Sequence, residues 1–573
     1  MALKFKLISS CYQDATLLDK GDVDFMIEVD NWNDFGYCTT YHLHASKRLT
    51  RNTTRYLGFM NVMMPGQKTT DGIILIKTFK INEEIFTELP NDVVTISFSQ
   101  DLYRGLSKVL TAKNQRIAFV NALHMLFGED DPRYKNLAED ECFTTSILRN
   151  ASMDSFALRK GKQYMFDEAV FYDFEKQKIK VQYAKADRVI ELDFNTPAGE
   201  WSLEEIPYGM IAFIGHNGCG KSTLLYLLAK LLYMSPTYRI DLQNEIKIEP
   251  NDVGISKLLL FSYSAFDNFL FPGRTIADYR LMAAGVESRE GRFVYCGVRD
   301  VKPEIEGILN KYLQKRGEEV RPEDERIIIK DERLDDIKLK PVNTLAAEFD
   351  TALTEIIRDR DKKRQWDAML QRCEEKLPSL YADIFTLSIE RTIFGSNAEN
   401  AYMRFSTGVK FFLHTMSHII AYNEDNSLLL FDEPENHLHP PMLSFMMNEI
   451  RIAIRETHSV MLVSTHSPVI LQEMFAKNIY VVDRHGERLN FSKPDTETYG
   501  ENFGYINNLV FHLNSDISNF HDLFDDLYIH WHCENIDSID ELIKLYQRRL
   551  GCETLSSQMV AYLVNKHLNE RAS

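Results

Sequence analysis

The apolar run Ile211-Ala212-Phe213-Ile214 gives way at Gly215 to a short loop ending in Gly220-Lys221-Ser222-Thr223, and a second apolar run, Leu224-Leu225-Tyr226-Leu227-Leu228, follows at once. No other stretch constrains the fold as strongly. Gly215-His216-Asn217-Gly218-Cys219-Gly220-Lys221-Ser222 satisfies G-x-x-x-x-G-K-[ST] at every fixed position, and the flanking runs predict the buried strand and the helix that such a loop joins. Glycines at 215, 218 and 220 let the backbone turn tightly and aim successive N–H groups inward. Polyphosphate oxygens would then rest on amides and on the positive end of the helix. Lys221 is expected to reach the terminal phosphates as a point charge, and the Ser222 hydroxyl to complete a Mg²⁺ shell of water and phosphate oxygen.

Three further stretches narrow the reading. Ser427-Leu428-Leu429-Leu430-Phe431-Asp432-Glu433-Pro434 is a short apolar run, as a central parallel strand requires, ending in two adjacent carboxylates. Asp432 suits indirect Mg²⁺ coordination, and Glu433 suits orienting or deprotonating an attacking water. Val460-Met461-Leu462-Val463-Ser464-Thr465-His466 is a third run, and its histidine is placed to bond a terminal phosphate. Arg404-Phe405-Ser406-Thr407-Gly408-Val409-Lys410 opens a helical pattern through Phe412, Leu413, Met416 and Ile419. His437 and His439, and likewise His530, His532 and Cys533, sit close in sequence but are not expected to hold a metal.

In chain order these pieces resemble the ATPase head of the ABC type: Walker A at 215–222, a degenerate signature at 405–410, Walker B with its glutamate at 428–433, and a switch histidine at 466. The resemblance implies an α/β fold, a mixed central sheet flanked by helices, with a helical insertion and a helical C-terminal region. It implies ATP and Mg²⁺ as cofactors, with Glu433, His466 and Lys221 catalytic and Ser222 and Asp432 at the metal. Residues 215–223 of one chain and Ser406, Thr407 and Gly408 of another would sandwich the nucleotide in a homodimer or higher oligomer. Val409 stands where Glu or Gln is usual in that signature.

Composition sets outer bounds. A chain of 573 residues exceeds one core, and 44% hydrophobic with 26% charged residues is globular. No apolar run reaches the roughly 18–20 residues that cross a bilayer, so a cytoplasmic protein without membrane contact is expected. Eight scattered cysteines read as reduced thiols. A net charge of −18 argues against wholesale coating of nucleic acid. Lys47-Arg48 with Arg51 and Arg55 leaves room for a local contact with nucleic acid, whereas the run Arg358–Arg364 reads as a solvated helix face.

Five regions are expected. Residues 1–155 form an N-terminal mixed α/β region, with strands at 24–29 and 72–77, a helix around 118–127 and an aromatic turn at 31–37. Residues 156–300 carry strands at 164–166, 169–172, 178–183 and 189–192 before Walker A, and the loop after 258–263 lacks the glutamine that reports on the γ-phosphate in ABC heads, so that Ser264 or Asp267 does that job or it goes undone. Residues 301–395 form a helical insertion without the sustained heptads of a long coiled coil. Residues 396–500 hold the signature, Walker B and the histidine. Residues 501–573 form a helical partner-docking region, with Phe511, Phe520, Phe524, Tyr528 and Trp531 mostly at helical spacing.

The layout, the F-S-T-G-x-K signature and the run Phe431-Asp432-Glu433-Pro434-Glu435-Asn436-His437-Leu438-His439-Pro440-Pro441 resemble the overcoming-lysogenisation-defect and recombination-type ATPases, and within them the PtuA family of Septu and retron-associated anti-phage systems. That resemblance implies regulation of a separate HNH endonuclease of the PtuB kind, with a retron reverse transcriptase and its DNA as a further partner, and no nuclease activity in the chain itself. Two alternatives stay open: a nucleotide-held scaffold that hydrolyses little and keeps a nuclease inactive, and a recombination-type DNA-repair ATPase.

Overall fold

The computed structural model describes residues 2–9, 23–30, 35–50, 56–128, 131–148, 156–166, 178–194, 209–234, 239, 242, 244–250, 253–264, 269–288, 292–314, 329, 337–380, 382, 399–506 and 519–572. Two units divide the chain, 1–500 and 501–573. Among the described residues no helix is long and apolar enough to cross a membrane.

The first unit opens with six strands, β1 (Phe5–Ile8), β2 (Phe25–Val29), β3 (Thr40–Ala45), β4 (Tyr56–Met63), β5 (Ile85–Phe86) and β6 (Val94–Ile96), in the order β5-β1-β2-β3-β4-β6. Alternation along these strands separates two buried faces. Phe5, Leu7, Phe25, Ile27, Tyr41 and Leu43 meet Leu102, Leu106 and Phe119 from the helices Gln100–Val109 and Lys113–Ala122. On the other face buried charge is paired, with His44 Nε2 2.6 Å from Glu28 and His42 Nε2 3.2 Å from Asp30.

Two expected strands are helical. Residues 72–77 turn at Gly72 (φ 64°) into a short helix, Ile74–Thr78, that buries only Ile74 and Leu75. Residues 164–166 sit at the end of the helix Phe156–Met165, where the Tyr164 hydroxyl accepts a 2.8 Å hydrogen bond from Gln100. Short apolar runs fit either period, and packing decided both. The strand expected at 169–172 lies outside the described residues, as do residues 31–34 of the aromatic turn, Arg51, Arg55, Asp267 and Phe511.

A small antiparallel sheet, β10-β7-β8, joins β7 (Lys178–Tyr183), β8 (Ile190–Asp193) and β10 (Ile246–Glu249). Ile179, Val181 and Tyr183 of β7 point into the core and the residues between them outward.

The large sheet has the order β12-β11-β13-β14-β9-β15-β16, built from β9 (Met210–Ile214), β11 (Lys257–Ser262), β12 (Phe293–Gly297), β13 (Ser427–Asp432), β14 (Val460–Thr465), β15 (Ile479–His485) and β16 (Arg488–Ser492). All pairs are parallel except β15 with β16. Continuous apolar runs suit strands covered on both faces. Register sets the functional edge: Ser262 pairs with Asp432, Asp432 with Ser464, and Thr465 with Ile214. Four carboxyl ends therefore come level, the place where open parallel sheets bind ligands. This is an α/β fold of the P-loop ATPase type.

The stretch expected as an insertion holds the helices Val301–Gln314, Val342–Arg358 and Arg360–Lys376. The last two pack on the helix Thr407–Tyr422, with Lys362 donating to the Ala421 carbonyl at 2.6 Å, and Phe349 stacks at 5.1 Å on Tyr402 of the short helix Glu399–Arg404. Exposed Arg358 and Arg364 pair along their own helices with Glu355 and Asp361, as a solvated face does.

The second unit contains the helices Asn519–His530, Ile539–Leu550 and Ser557–Ala572 around Phe524, Tyr528, Leu542, Tyr546 and Leu563. The Tyr528 hydroxyl lies 2.7 Å from His567 Nδ1, and the Tyr546 hydroxyl donates to the Phe524 carbonyl at 3.0 Å.

Candidate nucleotide site

The loop after β9 has the shape its glycines require. A Cβ on Gly215 would sit 2.1 Å from the Val482 carbonyl oxygen of neighbouring β15, so only glycine lets the chain pass. Gly218 and Gly220 take φ of 79° and 102°, and Gly220 starts the helix Lys221–Tyr233. His216, Asn217 and Thr223 are exposed, while Cys219 is buried beneath the loop. The buried Lys221 ammonium donates to the Gly215 and His216 carbonyls at 2.9 and 3.1 Å, which centres it over the loop. A cation and a helix N-terminus thus face one concavity, an arrangement that holds anions.

Asp432 closes the site from the next strand but one. Its Oδ1 accepts from Ser222 Oγ at 2.9 Å and from Ser464 Oγ, and its Oδ2 accepts from Tyr226 at 3.0 Å. Burial pushes this carboxyl up from its ordinary range, and the three hydroxyl donors pull against that. The donor set, Ser222 hydroxyl and Asp432 carboxylate, is all hard oxygen and fits Mg²⁺. That ion would supply charge neutralisation between phosphate oxygens.

Glu433 sits in the left-handed region at φ 50°, held there by its N–H, which donates to the Ser464 carbonyl at 2.9 Å. Backbone strain at a non-glycine residue is a mark of sites where side-chain aim matters. Asn436 donates to Glu433 Oε2 at 3.2 Å, and His466 Nδ1 lies 3.7 Å from Glu433 Oε1. The same nitrogen is 3.2 Å from Glu435 Oε1. His466 lowers the Glu433 carboxyl, with Asn436 adding to the effect against burial, and in return Glu433 raises the imidazole. Glu435 was not among the residues singled out from sequence; its only signal was a carboxylate two places after Glu433.

Ser406 caps the helix Thr407–Tyr422, accepting from Val409 N at 3.4 Å. Ser406 and Thr407 are exposed, and Gly408 lies so close to the His437 carbonyl that a Cβ would meet it at 2.9 Å. Val409 is 7% exposed, so the residue that departs from the signature pattern is a core residue here. The helix N-terminus is thereby fixed against the loop that follows Asp432 and Glu433.

One residue past β11, the Tyr263 hydroxyl lies 2.7 Å from His414 Nδ1 and accepts from Thr415 Oγ1 at 3.1 Å. His414 Nε2 reaches Glu348 Oε2 at 3.2 Å. Tyr263 therefore ties the strand end beside Asp432 to the helix Val342–Arg358. Glu348, His414 and His418 are the one cluster of metal-ligand type among the described residues. Lys340 Nζ lies 2.9 Å from Glu348 Oε1 and 3.0 Å from its Oε2, so the carboxylate is neutralised by an ammonium and the cluster is a hydrogen-bonded network.

Comparison with known proteins places this geometry in context. Residues 283–472 match the family described as AAA domain, putative AbiEii toxin, Type IV TA system, a span that takes in the signature, Asp432, Glu433 and His466. Protein ea59 of Escherichia phage lambda is 24% identical over 541 residues, covering 92% of each chain. Among solved structures, the ATP-binding cassette of an ABC transporter in its ADP conformation is 12% identical, covering 58% of this chain and 95% of that one with a TM-score of 0.25. An Smc head bound to the C-terminal winged-helix domain of ScpA is 14% identical, covering 55% of this chain and 96% of that one with a TM-score of 0.23. The phosphate cradle, the carboxylate strand and the family match together support an ABC-type P-loop ATPase.

Proposed function

We propose that the chain binds and hydrolyses ATP as an engaged dimer and thereby regulates a separate HNH endonuclease in anti-phage defence. The observation that carries the ATPase part is the meeting of Ser222, Asp432, Glu433 and His466 at one edge of the sheet. Lys221 and the loop amides hold the β- and γ-phosphates. Asp432 and Ser222 hold Mg²⁺. Glu433 accepts a proton from the attacking water, and the outer nitrogen of His466 meets the γ-phosphate. Exposed Ser406 and Thr407, with the helix N-terminus behind them, suit the nucleotide of a second copy. Differential affinity for ATP between open and closed dimers sets how far the population shifts, and hydrolysis resets it.

The nuclease part rests on the resemblance to PtuA-type subunits. The test is ATP turnover and solution mass for wild type and Glu433→Gln, each with and without Mg-ATP. Turnover in the wild type, with an inactive variant that still assembles on ATP, supports the switching ATPase. Nucleotide binding without turnover and with one constant mass supports a nucleotide-held scaffold instead. Co-purification of an HNH protein encoded beside this chain, with nuclease activity that changes with ATP, supports the partner; an HNH protein that neither binds nor responds removes it.

A further inference from the structure

Glu435 is nine-tenths buried, yet only one of its carboxylate oxygens is engaged, and everything it engages belongs to the turn that carries His466. Oε1 accepts from Thr465 Oγ1 at 2.8 Å and from the His466 backbone N–H at 2.7 Å, and it lies 3.2 Å from His466 Nδ1. Thr465 Oγ1 in turn accepts from Ser467 N at 2.9 Å. Oε2 is buried with no hydrogen-bond partner.

We infer that Glu435 is the positioning residue of His466: it clamps the backbone and the inner nitrogen of the imidazole, and so aims the outer nitrogen at the phosphate that Lys221 and the loop bind. The two ring nitrogens point in opposite directions. Once Nδ1 faces Glu435 and Glu433, Nε2 must face away from both, and the His466 side chain is 42% exposed. Glu433 alone does not fix the ring, since it stands further off at 3.7 Å and has its own task at the water. Glu435 adds the backbone bond, which ties ring direction to the end of β14. The inference rests on the ATPase reading for its kinetics but not for its geometry.

The test uses the full chain with Glu435→Ala and Glu435→Gln, measuring kcat and KM for ATP, nucleotide affinity and the ¹⁵N signals of the His466 ring. Glu435→Gln keeps an amide oxygen for Thr465 and the backbone N–H but removes the charge. The expected result is kcat lower by about tenfold to a hundredfold in Glu435→Ala with KM and nucleotide affinity within about threefold of wild type, because a misaimed group costs the transition state more than the ground state. Glu435→Gln should recover most of kcat, and the ring signals of His466 should move in both variants. Unchanged kcat and unchanged ring signals in a folded Glu435→Ala would overturn the inference, as would an equal loss of kcat in both variants with ring signals unmoved. Should the wild type prove unable to hydrolyse ATP, the ATPase reading fails by itself, and the ring signals still decide whether Glu435 sets His466.

Discussion

Ser222 Oγ and Asp432 Oδ1 lie 2.9 Å apart although 210 residues separate them in the chain. Strand order makes this contact: β14 alone stands between β9 and β13, so the helix that starts at Lys221 passes over the end of β13. Asp432→Asn keeps the shape and the Oδ1 contacts with the Ser222 and Ser464 hydroxyls but removes the charge that neutralises the metal. Turnover should fall by roughly a hundredfold or more, the scale of removing one preorganised electrostatic contact. Melting temperature should hold or rise, since a buried carboxyl pushed above its ordinary range is relieved of its charge. Steady-state kinetics and thermal melting of one preparation check both halves.

The His466 imidazole is raised by Glu433 first and by Glu435 as well, above its ordinary value of 6.5. A raised pKa means that the folded state holds the proton more tightly than the unfolded chain. Its contribution to stability is present in full below the ordinary value and fades as pH rises through the folded one. Glu433→Gln should return the ring toward 6.5 and shift the alkaline limb of phosphate binding to lower pH. NMR titration of the His466 ring reads the first effect, and nucleotide affinity from pH 6 to 9 the second; a ring that titrates identically in both proteins would remove Glu433 as the cause.

How much of this was legible follows from how local each feature is. The loop at 215–223 is a pattern of adjacent residues, and so are the runs ending at Asp432 and His466, so strand, turn and helix could be read directly. What holds Asp432 could not: Tyr226 and Ser464 come from different elements and meet it through register. Val409 looked like a departure in a contact motif because sequence does not say which way a helix faces; it faces the core. Ile74–Thr78 and Phe156–Met165 were misread as containing strands because a few apolar residues satisfy both periods, and the helix beneath Tyr164 settles the second. Tyr263 and Glu435 were missed for a related reason, as their partners lie on strands and helices distant in sequence.

Gly215→Ala tests the close approach of β9 to β15. The added Cβ would fall 2.1 Å from the Val482 carbonyl oxygen, a backbone atom that cannot rotate away. Forced separation of two core strands should cost about 1–3 kcal/mol, the usual range for overpacking. Nucleotide affinity should fall with it, because the loop that follows moves as the strand does. Denaturant unfolding and ATP titration are the measurements; Gly66→Ala, at a glycine with open space around it, is the control, though its φ of 78° carries a strain of its own.

Arg104, Lys257 and Glu424 form a charge cluster where the helix Gln100–Val109 meets the start of β11. Arg104 donates to the Ser256 carbonyl at 2.7 Å and pairs with Glu424, while Lys257 Nζ stands 4.0 Å from that carboxylate. Burial alone would raise Glu424, but Arg104 and then Lys257 outweigh it and hold the carboxyl at about 2. Burial also dominates at Lys257, bringing the ammonium down to about 8 against the pull of Glu424. The two groups act on opposite limbs. Glu424 gives stability that is complete above its ordinary value of 4.5 and is lost as pH falls toward about 2. Lys257 has the same sign in the alkaline window: between about 8 and 10.5 the unfolded chain holds a proton that the folded chain has released, so stability from this group also rises with pH there. Arg104→Met should therefore begin its acid loss at higher pH than wild type, since the strongest influence lowering Glu424 is gone. Lys257→Met should lose the alkaline rise. Melting temperatures of the three proteins from pH 3 to 10 decide the matter, and acid limbs that coincide for wild type and Arg104→Met would show that Glu424 draws its low pKa from elsewhere.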